Sequence, residues 1–291
     1  MPITCLPVLR SACFVLSAVV LTACASTGTD GSDSPPGSMQ GEGSTPDEVQ
    51  HVHGIVAHPD GDGLILGTHH GILHVGQDGE AEPVGPVMDF MGLSEAGPGR
   101  LVASGHPGPG TDMPNPVGLI ESTDGGRTWE PLSRVGESDF HALAATEDTI
   151  IGFDGVLRAT DDGEEWFDLD PDLQAIGLTV SEDAETVLAT TQEGLRRSED
   201  GGRSFDDVGE APPLVFVDWV RGAETVYGVD AGGTVHRSED TGRSWSGLGS
   251  AGGQPEAIYA DADQVALAVD GTLVVSSDGG KTFDALGPAG G

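Results

Sequence analysis

An eight-residue pattern recurs along this chain, and its period constrains the fold more than any other feature. Ser122–Trp129 reads STDGGRTW, Ser198–Phe205 SEDGGRSF, Ser238–Trp245 SEDTGRSW and Ser276–Phe283 SSDGGKTF. A worn copy, ATDDGEEW, spans Ala159–Trp166, and a vestige, VGQDGEAE, begins at Val75. The aspartates fall at Asp78, Asp124, Asp161, Asp200, Asp240 and Asp278, separated by 46, 37, 39, 40 and 38 residues. Six copies near a period of about 40 residues specify a repeat architecture. Within a period, short β-branched segments alternate with turns: after Ser138 come DFHALAA, TIIGF, VLRAT, an aspartate turn and WFDLD. Four strands per unit at this period is the pattern of a propeller blade. No useful helical periodicity follows residue 50. The expected fold is all-β, a six-bladed β-propeller with four-stranded antiparallel blades. The blades are placed at 51–84, 85–133, 134–170, 171–209, 210–248 and 249–288.

The octapeptides resemble the Asp-box (BNR) repeat, S-x-D-G-G-x-T-W. The resemblance implies that each box is the turn between strands three and four of a blade. It also likens the chain to the BNR lipoproteins of actinobacteria labelled glycosyl-hydrolase-like or sialidase-like. The residues themselves fit a structural part. An Asp carboxylate can accept backbone N–H groups of its own turn, glycines supply positive φ, and the closing aromatic buries area. Asp124, Asp161, Asp200, Asp240 and Asp278, with Trp129, Trp166, Phe205, Trp245 and Phe283, are therefore expected to be structural.

Residues 1–23 read as an export signal: Arg10 supplies charge, and an apolar run from Ala12 to Leu21 precedes small residues. Leu21-Thr22-Ala23-Cys24 resembles the lipobox of bacterial lipoproteins, which implies lipidation of Cys24 and anchoring to the outer face of the cell membrane. Residues 24–50, rich in Ser, Gly, Pro and acid, are expected to form a flexible tether, and 51–291 the propeller. Cys5 and Cys13 leave with the signal, so the propeller has no disulfide and no thiolate metal site. Beyond residue 50 there are 43 acidic and 11 basic residues, a net charge of −32, and Lys281 is the only lysine of the chain. Such a surface repels phosphates, which excludes nucleic acid as a partner. The membrane is then contacted through the lipid alone, and a monomer is expected.

In a propeller the start of strand one and the turn between strands two and three share a face, opposite the aspartate turns. His51 and His53 (HVHGIVA), His69 and His70 (GTHHGIL), His106 in the expanded turn SGHPGPGTDMPNPVG, and His141 (DFHAL) map to that face in three neighbouring blades. Met88 and Met91 (MDFMGL) and Met113 lie beside them, whereas His58, His74 and His236 fall elsewhere. His51 and His53, two apart on a strand, point to one side. Imidazoles with carboxylates suit zinc, copper, nickel or iron, and thioethers favour copper. The reading is a non-enzymatic binding or assembly module; its cofactor stays open, with copper or zinc as the candidates. A water-lined channel is the plain alternative.

The rival reading is a glycosidase acting through Asp89, Asp139, Asp218 and Glu256, four first-strand carboxylates that could oppose one another across a channel. The sialidase resemblance further implies three arginines and a tyrosine at the site. Here Arg127, Arg203 and Arg243 lie inside the boxes, no first strand carries an arginine, and Tyr227 and Tyr259 are the only tyrosines. A complete sialidase site is therefore not expected. A purely protein- or carbohydrate-binding platform is the third reading.

Overall fold

The computed structural model describes residues 51–286, which form 24 strands in six antiparallel sheets of four. Within each sheet the strands pair in chain order, because every connection is a turn too short to cross over. Among the described residues there is no helix. The tether and Cys24 lie outside the described residues.

The blades span 52–84, 88–133, 142–168, 177–207, 214–250 and 255–285. The expected six-bladed propeller is the observed one; the strands of each blade fall within its expected span, except that the last strand of blade five runs to Ser250, past 248. The first strands are Val52–Ala57, Met88–Glu95, Ala142–Ala145, Gly177–Val180, Leu214–Trp219 and Pro255–Ala260. Each packs against the next and the sixth returns to the first, so the sheets close into a ring. Second strands are buried almost throughout, as in Leu64–Thr68 and Val265–Val269, whereas fourth strands such as Phe167–Asp168 are exposed. The core is accordingly a set of wedges between neighbouring blades. One wedge joins Val56, Ile65 and Ile72 of blade one to Phe90, Leu101 and Ile120 of blade two. Burial of these side chains supplies about 25 cal/mol per Å² of apolar surface.

The aspartate turns fasten the rims of these wedges. Ser122 Oγ donates to Asp124 Oδ1 at 2.8 Å and accepts Gly126 N at 2.9 Å, while Asp124 accepts Thr128 N at 2.9 Å and Thr128 Oγ1 at 2.6 Å. Gly125 and Gly126 take φ of 72° and 85°, a region side chains rarely adopt. Asp200, Asp240 and Asp278 repeat the arrangement. Hydroxyl donors, Ser204 foremost, hold the Asp200 carboxyl at about 2. The closing aromatics join the wedges between blades: Trp129, 5.1 Å from Phe90, packs into the one between blades one and two, and Trp166, stacked on Phe140 at 4.8 Å, into the one between blades two and three.

Blade three corrects the sequence reading. Its turn is one residue shorter, and Asp162, not Asp161, fills the aspartate position. Asp162 Oδ1 accepts Thr160 Oγ1 at 3.0 Å, Glu164 N at 2.8 Å and Glu165 N at 2.9 Å. Thr160 stands where serine stands elsewhere and one glycine is missing, so counting from Ala159 shifts the frame. Asp161 instead accepts Thr149 Oγ1 at 3.1 Å.

Candidate metal centre

The first strands surround a channel of about 380 Å³, and their starts gather the histidines at one mouth. His53 Nε2 lies 3.2 Å from His69 Nε2. His51 completes the group, with one ligand nitrogen from each of the three residues within 4.8 Å of the others. All three belong to blade one: His51 and His53 lead into and begin its first strand, and His69 sits in the turn after its second. The three rings pack on one another, His53 edge-on to both neighbours at 4.8 and 4.4 Å. His51 has φ of 33°, an uncommon backbone state for a residue with a side chain.

The neighbours of these rings decide which nitrogens are free. His69 Nδ1 lies 2.7 Å from Asp89 Oδ1, which spends that nitrogen on the carboxylate and turns Nε2 toward His53. That carboxylate–imidazole pairing is how proteins orient and enrich a metal-ligating histidine. Burial, then the adjacent His69 and His51 rings, lowers His53 to about 4, so near neutral pH its ring is uncharged. Two Nε2 atoms 3.2 Å apart, each about 2.0–2.1 Å from a shared ion, would subtend about 100° there, close to tetrahedral.

The remaining expected ligands part company with this group. His106 Nε2 and His141 Nε2 both approach Asp139 Oδ2, at 3.2 and 2.8 Å, and His106 Nδ1 lies 2.7 Å from Asn115 Oδ1. Asp139 Oδ1 is buried with no hydrogen-bond partner among the described residues. His70 is exposed, and its backbone N–H, not its ring, is engaged, by Thr68 Oγ1 at 3.0 Å. The six histidines therefore divide into a group of three, a pair on Asp139, and one apart. The methionines are corrected: Met88 is fully buried in the core, and Met113 packs against the same cluster. Met91 is half-buried beside the irregularity at Phe90/Gly92. Met88 and Met113 are thus spent on the core, and the three-histidine group offers imidazole nitrogens.

The expected carboxylate set is also redistributed. Glu256 accepts Val52 N at 2.8 Å and Gly271 N at 2.9 Å, with His51 Nδ1 3.7 Å away. Asp218 does not share this mouth. It stands at the far end of its strand and accepts Ala260 N at 2.7 Å. Burial pushes its carboxyl up to about 7. Nearby, Tyr259 donates to Asp261 Oδ2 at 2.9 Å, and burial raises its hydroxyl well above the usual range.

Arg221 is the residue that sequence reasoning missed. It lies just beyond the end of its first strand, and its guanidinium leaves blade five to reach the carbonyl oxygens of Glu95 in blade two and Ala145 in blade three. Its Nε also lies 3.5 Å from Glu95 Oε2. Blade two is opposite blade five in a ring of six, so this brace crosses the channel. Only the arginine's place beyond the end of a first strand hinted at such reach.

No protein-family profile matches the chain, and no curated protein matches it in sequence. Solved structures do match in shape. A chain of the nidogen/laminin complex aligns with a TM-score of 0.61 at 12% identity, covering 77% of this chain and 92% of that one. The GH74 enzyme of Niastella koreensis aligns with a TM-score of 0.59 at 12% identity, covering 82% of this chain and 45% of that one. These likenesses identify the propeller fold.

Proposed function

We propose that this chain is a non-enzymatic binding module of the Asp-box (BNR) type, anchored by lipid at Cys24 outside the cytoplasm, that takes up a transition metal on its histidine face. The 3.2 Å approach of His53 Nε2 to His69 Nε2, with His51 beside them, carries the reading. Three imidazole donors suit zinc or copper(II), and two of the three expected thioethers, Met88 and Met113, are packed in the core instead. Three protein ligands leave a coordination position for water or for a group on an incoming partner. Metal analysis of protein purified without a histidine tag tests the reading. The expected result is one zinc or copper per chain, lost in His53→Ala/His69→Ala; a chain that takes up neither metal refutes it.

The glycosidase alternative needs two carboxylates facing each other across a sugar. Here Asp89 and Asp139 are engaged by histidines, Glu256 by two backbone amides, and Asp218 lies at the other end of the channel. That distribution favours binding over hydrolysis.

A further inference from the structure

Glu256 joins the metal site to the closure of the ring. Each blade consists of four consecutive strands, so among the described residues no strand is exchanged between blade six and blade one. That seam rests on packing of Val52, Ile55 and Leu66 against Ala257, Ala266 and Ala268, and on one carboxylate. Glu256, second residue of blade six, accepts the amide of Val52 at 2.8 Å and that of Gly271, in its own blade, at 2.9 Å. Val52 stands between His51 and His53, and the same Oε2 atom lies 3.7 Å from His51 Nδ1. On the other side, Asp89 of blade two holds His69 Nδ1 at 2.7 Å. The three imidazoles of blade one are therefore supported by carboxylates from both neighbouring blades.

We infer that metal uptake by His51, His53 and His69 is coupled to closure of the propeller ring, with Glu256 the positioning residue that links the two. The inference rests on the metal reading above. An ion fixes the His51 and His53 rings and with them the intervening Val52 amide, so the bond across the seam is held in register. By reciprocity, a seam already closed by Glu256 presents His51 in its binding position, and the same coupling free energy acts in both directions. Glu256 also adds negative charge beside a dication, which strengthens the ligand set from outside it. His51, in its uncommon φ, is where the two functions meet.

Hydrogen exchange followed by mass spectrometry, on tag-free protein with and without zinc, tests the coupling. The expected result is slower exchange not only in Val52–Thr68 but also in Pro255–Ala260, a strand that holds no ligand. Zinc affinity, measured by competition with a chromophoric chelator, is expected to fall about 10- to 100-fold in Glu256→Gln, because one amide oxygen cannot replace both carboxylate acceptors. Asp218→Asn, at the seam between blades five and six, is expected to leave zinc affinity unchanged. If Glu256→Gln fails to fold, the exchange experiment on the native chain still decides. Zinc binding with protection confined to blade one, or with full affinity in Glu256→Gln, overturns the coupling and leaves the metal reading standing. A native chain that binds no zinc and no copper refutes the metal reading itself.

Discussion

Asp218→Asn is expected to stabilise the protein at alkaline pH and to do little at acidic pH. Asp218 sits between blades five and six, with Oδ2 accepting Ala260 N at 2.7 Å. Burial raises its carboxyl from the ordinary 3.8 to about 7. The folded chain thus holds a proton that the unfolded chain has released across that interval. Stability consequently falls as pH rises from about 4 to 7, and above pH 7 the protein carries a partly buried, ionised carboxylate. A displacement of about three units corresponds to roughly 4 kcal/mol at 1.36 kcal/mol per unit. Solvent in the channel reduces this to about 2–3 kcal/mol, since effective screening even at buried sites is substantial. Asparagine keeps a carbonyl oxygen for Ala260 N and cannot ionise. Melting temperatures of the native and variant chains should differ by roughly 4–10 °C at pH 8, in favour of the variant, and by little at pH 5. A difference of equal size at both pH values, or a variant less stable at pH 8, would refute the reasoning.

Ser198→Ala leaves the buried Gly202 amide, now 2.9 Å from Ser198 Oγ, without its acceptor, and should cost about 1–3 kcal/mol in thermal or denaturant unfolding; in blade three, Asp162→Ala should lower the melting temperature by more than Asp161→Ala. His58 is buried against His74 at 4.2 Å, and burial followed by that neighbour depresses its pKa. Below about pH 6.5 the unfolded chain therefore takes up a proton that the folded chain refuses, so acid should destabilise the protein, and His58→Gln should flatten that part of the stability–pH curve. Cys24→Ser should move the protein from the detergent phase to the aqueous phase in a phase-partition assay, and unchanged partition would refute lipid anchoring at that residue.

Much of the fold was legible because the turn between strands three and four has strict chemical requirements. A hydroxyl, an acid two residues later and a glycine at positive φ leave a visible signature even where the strands diverge. The signature failed where a glycine was lost, since Asp161 and Asp162 are adjacent and the hydrogen bonds alone show which one turns inward. The site was legible by face and not by distance. Topology put His51, His53, His69, His106 and His141 at one mouth, but their grouping depends on ring curvature and side-chain direction, which a linear pattern does not carry. Met88 illustrates the second limit: alternation along its strand points it into the wedge between blades one and two. Arg221 illustrates the first, because a brace between blades five and two exists only once the ring has closed.

The central claim is that His51, His53 and His69 hold one transition-metal ion. Anomalous diffraction at the zinc edge, from crystals of tag-free protein grown with one equivalent of zinc, tests it most directly. The account expects a single strong peak about 2.0–2.1 Å from His53 Nε2 and His69 Nε2, with His51 as the third ligand. Absence of density there, or a peak at Asp139 between His106 and His141 instead, would contradict it.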